Sequence, residues 1–94
     1  MDESARKIER GHMAKAMMES EAFQSTINDL LQRYVDAWIA GKSVEAREDA
    51  HRYVTVIGLL KNDLRSMAMT GDLTRQRLEV LEGGKQTLWS KLNG

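Results

Sequence analysis

Along residues 43–69 the apolar positions Ala46, Ala50, Tyr53, Ile57, Leu60, Leu64 and Met67 recur in steps of 4, 3, 4, 3, 4 and 3. That rhythm keeps one stripe on one side of an α-helix along the whole segment. No other stretch of the chain is as long or as regular. Beside it runs a second series, His51, Thr55, Gly58, Asn62 and Arg65, spaced 4, 3, 4 and 3 but polar or small. The segment therefore reads as a helix with two working faces, one apolar and one polar.

The flanking segments carry the same kind of pattern. Residues 3–18 form a first predicted helix, with Ala5, Ile8, Met13, Ala16 and Met17 as an intermittent apolar face. Gly11 lies inside it and weakens it by up to ~1 kcal/mol relative to alanine. Ser20 is a good N-cap for a second helix over 21–40, whose stripe is Phe23, Ile27, Leu30, Leu31, Tyr34 and Trp38, widened by Val35 and Ile39. Gly41 is expected to stop that helix through a positive φ. Ser43 caps the third helix, 44–69, and the short link between the two predicts a side-by-side antiparallel hairpin. Thr70-Gly71-Asp72 is expected to end the third helix, with Asp72 capping a fourth over 73–82 that carries Leu73, Leu78, Val80 and Leu81. After Gly83-Gly84 comes a short segment, 85–92, with Leu88, Trp89 and Leu92. Thr74, Leu78, Leu81, Lys85, Leu88 and Leu92 keep one helical spacing, but two adjacent glycines cost roughly 2 kcal/mol in a helix interior. A kink or break is the expectation there. The fold class is all-α: an antiparallel helical bundle built on the hairpin of helices two and three, with an N-terminal helix and a C-terminal helix or tail.

Composition narrows this picture. Ninety-four residues make one domain the expectation, and a chain this short buries a modest share of its surface, which favours a homo-oligomer. The absence of proline leaves no fixed φ to interrupt a helix, and the absence of cysteine removes disulfides, zinc–thiolate sites and thiol nucleophiles. Fourteen basic residues balance fourteen acidic ones, which argues against holding a nucleic-acid polymer by phosphate neutralisation. The acidic start Met1-Asp2-Glu3-Ser4 does not read as a secretion signal, and no run approaches a membrane span.

Candidate chemistry is sparse. His12 and His51 sit in different helices without further ligands at metal-binding spacing, so neither a metal nor a cofactor is expected. Glu45, Glu48 and Asp49 fall in the first turns of a helix, where its dipole favours negative charge. Gly83-Gly84-Lys85-Gln86-Thr87 lacks the first glycine and the preceding strand of a phosphate loop. The polar face of the third helix is the better candidate: a partner or a small anionic nucleotide would meet Arg47, His51, Arg52, Thr55, Gly58, Asn62 and Arg65, with Lys61 and Tyr53 near by. Gly58 there suggests close approach of another helix, within the chain or across a subunit boundary. Leu88, Trp89 and Leu92 are candidate oligomer contacts, since such an apolar tail is unusual on a soluble monomer.

The segments Glu9-Arg10-Gly11, Glu21-Ala22-Phe23, Tyr34-Val35-Asp36-Ala37-Trp38, Arg47-Glu48 and Thr70-Gly71-Asp72-Leu73 resemble a loose group of small all-helical proteins encoded by tailed bacteriophages and prophages. Ser20-Glu21 departs from the proline of that group near the same helix start. The group is mostly without assigned activity, so the resemblance carries over no functional residue. It implies a bacterial host cytoplasm or a virion as the setting. It also implies a non-enzymatic interaction protein, structural or accessory, meeting phage or host proteins. The alternative is an anti-defence protein that sequesters an immune nucleotide signal or inhibits a defence protein.

Overall fold

The computed structural model describes the backbone of residues 2–93 and the side chains of residues 2–83 and of Leu92. The fold is all-helical, with three helices and no strand among the described residues: α1 (Glu3–Glu19), α2 (Glu21–Ala40) and α3 (Val44–Asn93). α3 packs against both α1 and α2, which touch each other little.

Each helix starts on a side-chain cap. Asp2 Oδ1 accepts from the Ala5 N–H (2.7 Å), Ser20 Oγ from Phe23 (3.3 Å) and Ser43 Oγ from Ala46 (3.1 Å). Each cap satisfies one of the free donors of a first turn. Ser20 serves twice, because its own N–H donates to the Met17 carbonyl and closes α1. The break at this residue has a geometric purpose. Ala14 and Ile27, the buried residues of α1 and α2, are 13 positions apart. In one uninterrupted helix they would point about 140° apart. The turn at Ser20, with ψ 125°, brings both onto α3.

Contacts run in opposite order along the two legs. The Trp38 ring lies 4.9 Å from His51, and Tyr34 stacks on Tyr53 with centroids 4.5 Å apart and planes at 21°. Phe23 and Ile27 share a cleft with Lys61 and Arg65. Ala14 and Met17 meet Leu64 and Met67, and Gly11 meets Gly71. α1 and α2 thus form one broken leg and α3 the other, giving a rod with extents of 76 × 24 × 21 Å.

Several expectations are corrected. α3 does not stop at Thr70-Gly71-Asp72, nor at Gly83-Gly84; the expected helices 44–69, 73–82 and 85–92 are one helix. At Gly71 the reason is the seam with α1, which stays in phase through Leu64, Met67, Gly71 and Thr74. Asp72 is not a cap but an i,i+3 partner of Arg75 at 4.0 Å, and Arg75 also bonds Glu79 at 2.8 Å. The Thr74 hydroxyl donates to the Thr70 carbonyl across the supposed stop. Gly71 is needed for space. A Cβ on it would lie 2.9 Å from the Gly11 Cα, and a Cβ on Gly11 would lie 2.8 Å from the Gly71 Cα and 2.9 Å from the Met67 carbonyl oxygen. The two glycines are where α1 and α3 touch backbone to backbone. Gly41 ends α2 with φ −58°, so no left-handed residue is required; a Cβ there would fall 2.5 Å from Arg47 Cγ.

The buried apolar residues are Ala14, Ile27, Ala50, Ile57 and Leu64. On α3 they recur every seven residues, at 50, 57 and 64, and the buried Gly71 continues the series. The alternate members of the predicted stripe, Ala46, Tyr53 and Leu60, remain exposed. The stripe is therefore only half a core, and its later part faces α1 rather than α2. α1 itself docks through Gly11 and Ala14, leaving Met13 and Met17 half or more exposed at the edge of the contact.

Candidate interaction surface

The polar face of α3 is present as a surface but not as one site. Arg47, His51, Arg52, Thr55, Gly58, Asn62 and Arg65 are all exposed. Arg47, His51 and Arg52 join Trp38, Val44 and Glu48 around an open notch of about 400 Å³ at the α2–α3 turn. Arg65 belongs to a second notch of about 350 Å³ with Lys61, Phe23 and Ile27. Between the two, Thr55 donates to the His51 carbonyl (2.9 Å), and Asn62 accepts from Arg65 (3.2 Å). Arg52 is held by Asp49 at 3.3 Å, and Glu48 stands in the wall of the first notch. Exposed guanidiniums already beside carboxylates attract a further anion weakly in high-dielectric surroundings. Gly58, read as a place for close helix approach, has no atom within 4 Å of an added Cβ, so no segment of the described chain crosses there.

The opposite flank is apolar. Gly58 and Leu60 lie about 160° apart around the helix. Tyr53, Val56 and Leu60 follow one another by 3 and 4 along α3 and are 53%, 59% and 42% exposed. Met13 and Met17 of α1 continue the strip at 64% and 50%. Arg10, Met13, Ala14, Met17, Leu64 and Met67 enclose a groove of about 310 Å³ whose lining is almost wholly carbon. Methionines suit such a surface, since their unbranched thioethers adapt to an irregular partner. Arg10 rims the strip, and Asp63 interrupts it on α3. Neither takes part in an ion pair among the described residues.

This flank was only partly legible in the sequence. The 4,3 spacing puts Tyr53, Leu60 and Met67 on the single apolar stripe of the third helix with no sign that part of it stays uncovered, and Val56 lies off that stripe altogether. The signal that was available is the pair of small residues Gly11 and Ala14, which lets α1 sit close to α3 and so narrows the width of α3 that it covers. Past the level of α1, Leu78, Val80, Leu81 and Leu92 are exposed as well. Leu88 and Trp89, expected as oligomer contacts together with Leu92, have side chains outside the described residues.

Among the described residues no group of three His, Cys, Asp or Glu side chains converges as a metal site would, and no helix is long and apolar enough to cross a membrane. No protein-family model matches the chain, and neither a curated protein nor a solved structure matches it.

Proposed function

We propose that this chain is a non-enzymatic interaction protein that works by helix-mediated self-association, in the structural or accessory role that the phage resemblance implies. One observation carries the reading. The chain exposes 7555 Å² for a mass of 10.7 kDa. A compact monomer of that mass exposes about 5,500 Å². The excess, on the order of 2,000 Å², is more than the ~800 Å² that each partner contributes to a standard interface. Its radius of gyration, 21.2 Å, tells the same story. A compact domain of this length has a radius near 12 Å. The five buried apolar side chains among the described residues offset little of an ordering cost of ~1–2 kcal/mol per residue. Pairing of rods supplies the missing burial. Light scattering at tens of micromolar tests the reading: a dimer or higher oligomer is expected, and a folded monomer overturns it.

A second reading draws on the notch at the α2–α3 turn, where an indole and a tilted imidazole lie beside Arg47. An immune nucleotide signal could stack there, as the anti-defence alternative requires. A thermal-shift screen with cyclic dinucleotides separates the two. A ligand at a hundred times its Kd adds ~2.7 kcal/mol and raises the melting point; no shift leaves self-association standing.

A further inference from the structure

We infer that the partner of the apolar flank is a second copy of this chain, packed against α3 in the opposite direction with the twofold axis at Met67. The inference rests on the self-association proposed above and adds the surface and the register.

Three observations place the axis. The first is the seam. Beside the buried line at 50, 57, 64 and 71 runs a second line at Tyr53, Leu60, Met67, Thr74 and Leu81, also spaced by seven. A seven-residue repeat is the one along which helices pair over their whole length. About Met67 this line is symmetric: Leu60 and Thr74 stand seven residues away, and Tyr53 and Leu81 fourteen. An opposed second copy therefore sets Met67 against Met67, Leu60 against the partner's Thr74 and Tyr53 against the partner's Leu81.

The second is length. α3 extends 23 residues before Met67 and 26 after it, so pairing there overlaps nearly all of both helices. α1 begins at Glu3, one turn before Lys7, whose carbonyl meets Gly71. It therefore reaches only to about residue 75 of α3. Beyond that level α3 has no covering leg, and Val80 and Leu81 are 74% and 55% exposed. In the twofold pair this overhang lies along the partner's Tyr53 region, which is the part of the flank beside α2.

The third is charge. Asp63 precedes Met67 by four residues and so faces the partner's Gly71 level. Arg10 and Lys7 border Met67 and Thr70 at that level. Each Asp63 meets the partner's Arg10, twice per dimer, and the two rim charges that lack an ion pair among the described residues find one between chains. Net charge is zero, so long-range repulsion does not oppose pairing of identical copies.

The test uses the full chain, which contains no cysteine. Met67→Cys under mild oxidation is expected to give a disulfide-linked dimer, and Thr55→Cys on the polar face is expected to give none. Separately, Asp63→Arg or Arg10→Asp alone should weaken dimerisation several-fold in sedimentation equilibrium, while the double variant Asp63→Arg/Arg10→Asp should recover it. The charge series stands even if the cysteine variant folds poorly, since both sites are exposed. A dimer that neither crosslinks through residue 67 nor shows the charge rescue overturns this register but not self-association. A folded monomer of the unchanged chain overturns both.

Discussion

Gly11→Ala puts the backbone crossing to a direct test. Alanine is the better helix former, so on propensity alone the change should stabilise α1 by ~1 kcal/mol. The structure predicts the reverse. The new methyl would sit 2.8 Å from the Gly71 Cα and 2.9 Å from the Met67 carbonyl oxygen, and ordinary contact begins near 3.4 Å. Both neighbours are backbone, so no side chain can rotate away. α1 must back off by roughly half an ångström or more, which loosens Ala14 and Leu64 along the same seam. Overpacking of this sort costs ~1–3 kcal/mol. Set against the propensity gain, the net loss is up to about 2 kcal/mol. Gly58→Ala is the internal control. An added Cβ there meets nothing within 4 Å, so the gain of ~1 kcal/mol should appear uncancelled. Urea unfolding followed by far-UV circular dichroism, at one fixed chain concentration, reads both. Gly11→Ala should lower the midpoint and Gly58→Ala raise it. If the two alanines stabilise alike, α1 does not cross α3 at Gly71 and the account of the fold fails.

Other perturbations probe the remaining contacts. Leu64→Ala removes a side chain 7% exposed between α1 and α3 and should cost about 2–3 kcal/mol in the same assay, toward the lower end for a leucine because flexible Met17 and Met67 can partly fill the space. Ser20→Ala should cost ~1 kcal/mol through the lost cap, and amide exchange should rise first around the α1–α2 joint; an unchanged joint would refute the capping role of its hydroxyl. Leu60→Glu, at a position 42% exposed on the apolar flank, should leave helicity intact and shift light scattering toward monomer. An unchanged oligomer would remove that flank from the interface.

Helical content and the starts of the helices were written in the chain. Three- and four-residue steps mark a helix whatever it packs against, and Ser20 and Ser43 cap locally by accepting the N–H three residues on. The candidate polar face was legible as a face, because periodicity alone puts His51, Thr55, Gly58, Asn62 and Arg65 on one side. Whether those residues act together was not legible. α2 divides them, drawing Arg47 and His51 to Trp38 and Arg65 to Phe23.

The glycines show where sequence stopped and tertiary structure decided. Taken locally, a glycine in a helix is a loss of stability or a stop, and Gly11, Gly71 and Gly83-Gly84 read that way. Gly71 instead lies in the middle of a 50-residue helix, because its missing side chain is what admits the α1 backbone. The same residue type at Gly58 faces open space. Local propensity cannot tell these cases apart, since the difference lies in an atom more than fifty residues away in the chain. By itself the sequence determined that the chain is helical, where the three helices begin and which stripes are apolar. Only the tertiary structure decided which half of the α3 stripe is covered by α1 and α2 and which half stays exposed, because that depends on where the other two helices lie.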